Sequence, residues 1–444
     1  MKFIVIGITD NPQPFFPPEV LGIIKGGKVF SGGKRHHEIV VPLLPADAQW
    51  IDITVPLDSV FEQYRTTTPR PSRGGVRGGV SIIVFASGDP LFFGFANTIR
   101  RKMPEAEIVV YPTFNSLQML AHRLVIPYHD MCIVSLTGRP WPEFDKALIE
   151  GAPKIGILTD REHTPAAIAQ RMLDYGYTDY QMSVGEHLGN PSQERITTLS
   201  IEAATTRDFS HPNCIILARI LGQAKRTSSS PRINTALYSE ADHKSRVLDR
   251  DRVNPCLKNS FGIPDAAFAL LDGREKMITK MPIRLLTLQA LDLPTRHVFW
   301  DIGFCTGSVS IEARLQFPHL TVCAFEIRPE CEAIIHENAR RFGAPGIDIH
   351  IGDFLKTDIA DLPRPDAVFI GGHGGKLKEI MEKVLTVLTP EGIIVFNSVI
   401  APKVTTDSHQ LWDEACEALG LKQDAPTSIQ LNDHHPITIL KCRR

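Results

Sequence analysis

The chain carries no closely paired cysteines, no long apolar run and no excess of either charge, and each absence narrows its function. Its eight cysteines, Cys132, Cys214, Cys256, Cys305, Cys323, Cys331, Cys416 and Cys442, are scattered singly. Without a C-x-x-C pair there is no zinc ribbon or thioredoxin-type centre, and a reducing cytoplasmic setting with no resident metal is the simpler expectation. No apolar stretch approaches the roughly 18 residues that span a bilayer. The opening Met1–Gly7 is too short for a signal peptide and meets a turn at once, so it reads as a first buried strand of a soluble protein with no membrane partner. The net charge of −2 gives no electrostatic case for nucleic acid as the main partner.

What remains is ordinary globular composition, 43% hydrophobic and 22% charged, over 444 residues. That length exceeds one common core and favours two or three domains. Between Gln223 and Asn259 the pattern loses apolar periodicity and gains charge, as in Lys225-Arg226-Thr227 and His243-Lys244-Ser245-Arg246. We read domains at 1–222 and 259–444, joined by a linker at 223–258. A second polar stretch, Thr66–Gly75, precedes the strand-like Val80–Ala86 and reads as a loop. The second half alternates strands near 297–301, 321–326, 347–351, 367–370 and 393–398 with helical segments, the signature of a doubly wound parallel sheet. Thr427–Leu431 and Pro436–Leu440 follow without a helix between them and read as an antiparallel edge hairpin.

The strongest motif is Val298–Ser308, an apolar strand ending at Asp301 that turns through Gly303 and Gly307 into a helix near Ser308. Glycines permit close approach of backbone to ligand, and the helix start offers unpaired N–H groups. Glu326, after the next strand, is placed to accept hydrogen bonds from a ribose. Gly352 and Asp353 follow the third strand, with Asp353 toward an adenine amino group and Phe354 flanking the ring. An NAD-type nucleotide suits the same geometry. Gly262-Ile263-Pro264-Asp265, Met277–Arg284, Trp300-Asp301-Ile302-Gly303, Thr306–Glu312, Phe369–Gly372 and Phe396–Val399 together resemble the decarboxylating precorrin methyltransferase domain of cobalamin synthesis. That resemblance implies a class I, Rossmann-like methyltransferase using S-adenosyl-L-methionine, with Thr279, Gly303, Gly307, Glu326 and Asp353 around the cofactor. The family usually has glycine where this chain has Cys305, whose side chain either narrows the cofactor cradle or points away from it. Thr279 has an alternative reading as a helix cap, and Lys280 and Arg284 divide between substrate carboxylates and a solvated helix face. His373, among Gly371, Gly372 and Gly374, sits at a strand's carboxyl end and is a candidate for proton transfer.

In the first half, Asp89 and Pro90 read as a helix cap and first helical residue, while the Gly88 backbone and Asp89 remain candidates for cofactor contact. Ser87–Gly94, Gly32–His36, Pro112–Gln118, Val134–Arg139 and Glu186–Gly189 resemble the precorrin C5-methyltransferase domain. This implies the class III tetrapyrrole methylase fold, two α/β lobes with the cofactor in the cleft between them, in a group whose members commonly form homo-oligomers. The family's glycine-rich first loop is replaced by Gly7–Pro12, so Asp10 is either an acid/base or a turn cap. Lys34, Arg35 and His36 either pair with substrate carboxylates or form an exposed basic loop.

Taken together, the resemblances imply a bifunctional enzyme acting on a tetrapyrrole, precorrin-6B or its cobalt form. They imply methylation at C5 and C15 with loss of the ring C acetate carboxyl, giving precorrin-8. Two rivals stay open: a non-catalytic tetrapyrrole-binding first half feeding one active methyltransferase, and a macromolecule-directed methyltransferase with a structural first domain.

Overall fold

The computed structural model describes residues 1–67, 81–220, 261–274, 277–399, 408–431 and 436–444. The expected linker, and most of the polar stretch after Thr67, lie outside the described residues. The described chain falls into two compact units, one built from 1–139, 152–170 and 178–220, the other from 140–151, 171–177 and the described residues from 261 onward.

The first unit contains two sheets. The amino-terminal sheet is wholly parallel and comprises β1 (Lys2–Ile8), β2 (Val29–Gly32), β3 (Gln49–Asp52), β4 (Ser81–Ser87) and β5 (Glu107–Tyr111), in the order β3-β2-β4-β1-β5. β4 is a run of Ile82, Ile83, Val84, Phe85 and Ala86, all buried, as a strand covered on both faces requires. One face packs Phe3, Val5, Val84 and Tyr64; the other packs Ile6, Phe30 and Phe85. The second sheet comprises β6 (Cys132–Ser135), β7 (Lys154–Leu158), β8 (Tyr180–Glu186), β9 (Arg195–Ser200) and β10 (Asn213–Arg219), in the order β6-β7-β10-β8-β9. Only β6 and β7 run parallel; the remaining pairings are antiparallel. These are the two α/β lobes implied by the tetrapyrrole methylase resemblance.

The second unit is one sheet of β11 (Val298–Ile302), β12 (Thr321–Glu326), β13 (Ile347–Ile351), β14 (Ala367–Ile370), β15 (Ile393–Val399), β16 (Lys422–Gln423), β17 (Thr427–Ile429) and β18 (Ile437–Arg443). Its order is β13-β12-β11-β14-β15-β18-β16, with β17 also paired to β18. The five strands expected from the sequence are all present and parallel. The expected hairpin forms between β17 and β18, but β18 also pairs antiparallel along the whole of β15, so it is an inner strand. Alternation along β11 explains the layering. Trp300 and Ile302 join the helices Leu377–Leu385 and Ser408–Leu419 through Met381, Val384 and Trp412. Phe299 faces the opposite layer, where Leu288 and Val309 come from the helices Met281–Ala290 and Ser308–Gln316. Each large side chain so buried contributes roughly 1.5–3 kcal/mol.

Candidate active sites

In the second unit, the carboxyl ends of β11, β12, β13 and β14 enclose a cavity of about 320 Å³. The turn after β11 is held by Gly303 N–H donating to Phe325 O at 2.7 Å, and β14 is tied in by Gly371 N–H donating to Ile302 O at 2.7 Å. Gly303 has φ +84°, and a Cβ there would lie 2.6 Å from Gly372 N, so the turn needs glycine both for its backbone conformation and for its packing. Gly303, Glu326, Gly352, Asp353, Phe354 and His373 all line this cavity.

Cys305, Gly307, Thr279, Lys280 and Arg284 are not among the lining residues. Cys305 adopts φ +50°, and its side chain is buried with Phe304, Ile311 and Cys331. The thiol lies outside the cavity lining, beside Cys331 and the Arg328 guanidinium, and the Cys305 backbone N–H donates to Glu326 Oε2 at 2.9 Å. Gly307 caps the helix Ser308–Gln316 in the left-handed region. Thr279 O accepts from Arg284 Nη1 at 2.8 Å, while Lys280 is the residue at the helix cap and lies 4.0 Å from Asp265.

The expectation for Arg284 needs correction: its side chain is fully buried, not on a solvated face or at a substrate. Its Nε donates to Glu312 Oε2 at 2.6 Å and its Nη1 to Asp265 Oδ1 at 3.1 Å, while Nη2 donates to Ile263 O. Glu312 in turn accepts from the backbone of Gly262 and Ile263. This ion pair fastens the segment Gly262–Asp265 to the two helices.

Glu326 is the most heavily coordinated side chain at the cavity. Oε1 accepts from Ile327 N, Arg328 N and Arg328 Nε at 3.0, 3.2 and 2.9 Å; Oε2 accepts from Cys305 N and Arg328 Nη2 at 2.9 and 2.8 Å. Burial opposes its charge, but the Arg328 guanidinium and the backbone donors outweigh burial and hold the carboxyl below its usual range. His373 Nδ1 accepts from Gly375 N–H at 3.1 Å, which leaves the ring proton on Nε2. Burial pulls His373 below the ordinary imidazole range, so it is a neutral donor at pH 7. Beneath the loop, Asp301 accepts from Ser310 Oγ at 2.5 Å, and burial pushes its carboxyl up to about 7.

In the first unit a cavity of about 410 Å³ lies between the two sheets. The ends of β1, β2 and β4 supply Thr9, Asp10, Gly33, Arg35, His36, Ser87 and Gly88; Leu188, Pro212 and Asn213 come from the other lobe. Asp10 is neither a free base nor a turn cap. It accepts from Arg35 Nη1 at 3.0 Å and lies 3.0 Å from His187 Nδ1, so it bridges the lobes. The turn is capped by its neighbours, with Thr9 Oγ1 accepting from Asn11 N and Asn11 Oδ1 from Gln13 N. Lys34, Arg35 and His36 form the first turn of the helix Lys34–Val40, not a loop. Lys34 is exposed and outside the lining, whereas Arg35 also donates to Ser87 Oγ at 2.9 Å. Burial, with Arg35 adding to it, lowers His36 to about 4, and its Nδ1 accepts from Gly33 N–H. Asp89 is corrected as well. The helix begins at Phe95 with Gly94 as its cap, and Asp89 instead closes a turn by accepting from Leu91 N at 2.9 Å. An apolar wall of Phe92, Phe93 and Phe114 completes the cavity, with Arg139 stacked 4.8 Å over the Phe93 ring.

Comparison with known proteins assigns both halves. A protein from Sinorhizobium sp named Precorrin-6Y C(5,15)-methyltransferase (decarboxylating) is 32% identical over 397 residues, 89% of this chain and 84% of its own length. The chain belongs to that family. Residues 17–204 match the family described as Tetrapyrrole (Corrin/Porphyrin) Methylases, and residues 271–424 match the family described as Precorrin methyltransferase domain. Two shorter proteins of Salmonella typhimurium each match part of the chain. Its Cobalt-precorrin-7 C(5)-methyltransferase is 29% identical over 214 residues, 48% of this chain and 97% of its own length. Its Cobalt-precorrin-6B C(15)-methyltransferase (decarboxylating) is 38% identical over 181 residues, 39% of this chain and 93% of its own length.

Within this precorrin-6Y methyltransferase family member, several cavity residues escaped the sequence reading. Arg328 was signalled only by an E-x-R spacing at a strand end. Asn115 was legible as half of a capping box, since Asn115 Oδ1 accepts from Gln118 N and Gln118 Oε1 accepts from Asn115 N. His187 lay inside a quoted motif, but its meeting with Asp10 is a product of the fold. One trio of metal-type donors occurs among the described residues, Cys323, Asp348 and His350, with ligand atoms within 4.8 Å of one another. Burial pushes the Cys323 thiol up to about 12, which disfavours the thiolate a metal would require. No described helix is long and apolar enough to cross a membrane.

Proposed function

We propose that this chain is a bifunctional S-adenosylmethionine-dependent C-methyltransferase that methylates a precorrin-6B-type tetrapyrrole at C5 and C15, removes carbon dioxide from the ring C acetate and yields precorrin-8. The observation that carries this reading is the relative matched across 89% of the chain, whose name states both methylations and the decarboxylation. The halves divide the work, C5 in the amino-terminal half and C15 with decarboxylation in the carboxyl-terminal half, as the separately encoded relatives are named.

The donor set fits the cofactor. A glycine cradle that a Cβ would fill, a buried carboxylate after β12 and Asp353 with Phe354 after β13 suit an amino acid end, a ribose and an adenine in turn. When bound, S-adenosylmethionine supplies an electrophilic methyl group. The protein's part is alignment and exclusion of water, worth several kcal/mol. Glu326 would hold the ribose hydroxyls and the Gly303 loop the amino acid end. His373 would offer its Nε2–H to the substrate rim as a neutral donor. In the amino-terminal cavity, Arg35 and the Phe92–Phe93–Phe114 wall suit an acid-edged flat macrocycle, with Asp10 fixing Arg35 in place.

Incubating the full chain with metal-free and cobalt-containing substrate, followed by mass measurement, tests this directly. The expected product carries two added methyl groups and lacks one carbon dioxide, and calorimetry with S-adenosylhomocysteine shows two sites. A single methylation with a single site would reject the bifunctional reading. Glu326→Gln should weaken cofactor use at C15 about 100-fold, the effect of losing charge-assisted hydrogen bonds worth roughly 2–3 kcal/mol. C5 methylation should persist in that variant.

A further inference from the structure

Arg328 is claimed by no family motif quoted above, yet it occupies the carboxylate on which the cofactor reading depends. Five N–H groups converge on Glu326: three from the backbone of Cys305, Ile327 and Arg328, and two from the Arg328 guanidinium. An ionised carboxylate offers about four lone-pair sites, so this one is saturated. The backbone donors are fixed by the β11 turn and by the chain leaving β12. The guanidinium alone stands on a flexible stem, its side chain 35% exposed against 2% for Glu326. A ribose diol brings two donors, and it can be accepted only if the two guanidinium donors leave.

We propose that Arg328 is a cofactor-gated anchor: the ribose displaces its guanidinium from Glu326, and the freed fork then binds a carboxylate of the tetrapyrrole. The proposal rests on the reading of Glu326 as the ribose acceptor. Its remaining grounds are on this structure. Arg328 lines the same cavity as His373, so a released guanidinium stays at the site. Its Nη1 meets Met277 Sδ at 3.9 Å, and the Cys305 thiol is a second weak partner of the guanidinium. Guanidinium pairs bidentately with carboxylates, and an acid-edged macrocycle presents several of them. Binding then becomes ordered. Without cofactor the guanidinium is spent on Glu326; with it, the tetrapyrrole gains an anchor.

Carbon dioxide release reports the carboxyl-terminal reaction alone in the full chain, free of the amino-terminal site. Arg328→Ala should raise the KM for tetrapyrrole about 10- to 100-fold, the effect of one lost charge-assisted pair. Its KM for S-adenosylmethionine should hold or fall, because the competitor for Glu326 is gone. S-adenosylhomocysteine should tighten tetrapyrrole binding to the wild-type chain and fail to do so in Arg328→Ala. Arg328→Lys, which keeps charge but loses the fork, should fall between them and serves if the alanine variant unfolds. A rise in the KM for S-adenosylmethionine with the tetrapyrrole KM unmoved would overturn the proposal and make Arg328 a rigid support for Glu326. Glu326→Gln separates the two levels: an unchanged KM for S-adenosylmethionine in that variant would reject the ribose reading itself.

Discussion

Arg284 shows how a residue can be read correctly as important and wrongly as to why. Its neighbours in Met281–Ala290 gave it a charged helical position, but Ile283, Thr287 and Leu288 are buried with it. Its partner Glu312 lies on another helix, and no spacing rule connects them. Removing one member of a fully buried pair leaves an uncompensated charge, so Arg284→Met should cost about 3–5 kcal/mol, measured by denaturant unfolding. Cys305 is the contrasting case. The sequence exposed it as a departure from glycine but not where its side chain goes, which depends on the pocket formed with Phe304, Ile311 and Cys331. Because the hydrogen bond Cys305 gives Glu326 comes from its backbone N–H, which glycine keeps, Cys305→Gly should leave S-adenosylhomocysteine affinity within about twofold by calorimetry.

Strands were far more legible than their ends. The inner parallel strands of the second unit, β11, β12, β14 and β15, are buried on both faces and so write themselves as apolar runs, whereas a turn depends on which side chain competes for which N–H. Asp89 and Pro90 looked like a helix start, but Asp89 spends its carboxylate on Leu91 N and the helix waits until Phe95. The β11 turn was legible because it leaves so few solutions. Gly303→Ala combines a left-handed backbone with a 2.6 Å approach to Gly372 N, and the neighbour is backbone that cannot swing away. That variant should lose carbon dioxide release by at least about 100-fold, since small displacements of a positioned reactant carry penalties of that size. C5 methylation by the same preparation is the internal control.

At the scale of the whole chain, two buried groups should give the halves opposite responses to pH. His36 sits at about 4 when folded against 6.5 ordinarily, so the unfolded chain takes up its proton first. Its contribution to stability is present above pH 6.5 and is lost as pH falls toward 4. Asp301 is the reverse, at about 7 against 3.8, so stability falls as pH rises from about 4 to 7. The limits are about 3 and 4 kcal/mol respectively. Scanning calorimetry of Asp301→Asn should show a stabilisation at pH 8 that vanishes near pH 4, and His36→Gln should show its gain only in acid. Both fold types were readable from pattern and resemblance. Pairs such as Asp10 with His187 were not, because they join positions 177 residues apart.

The placement of β18 inside its sheet bears on how the chain is made. β15 carries Ile393, Ile394, Val395 and Phe396, and one of its two hydrogen-bonding edges is satisfied only by residues 437–443. While a ribosome is still adding those residues, that apolar edge has no partner and is a template for pairing with other nascent chains. Synthesis of this protein therefore passes through an interval of aggregation risk. Pausing between β15 and β18, or lowering chaperone supply, should reduce soluble yield more than an equal delay earlier in the chain.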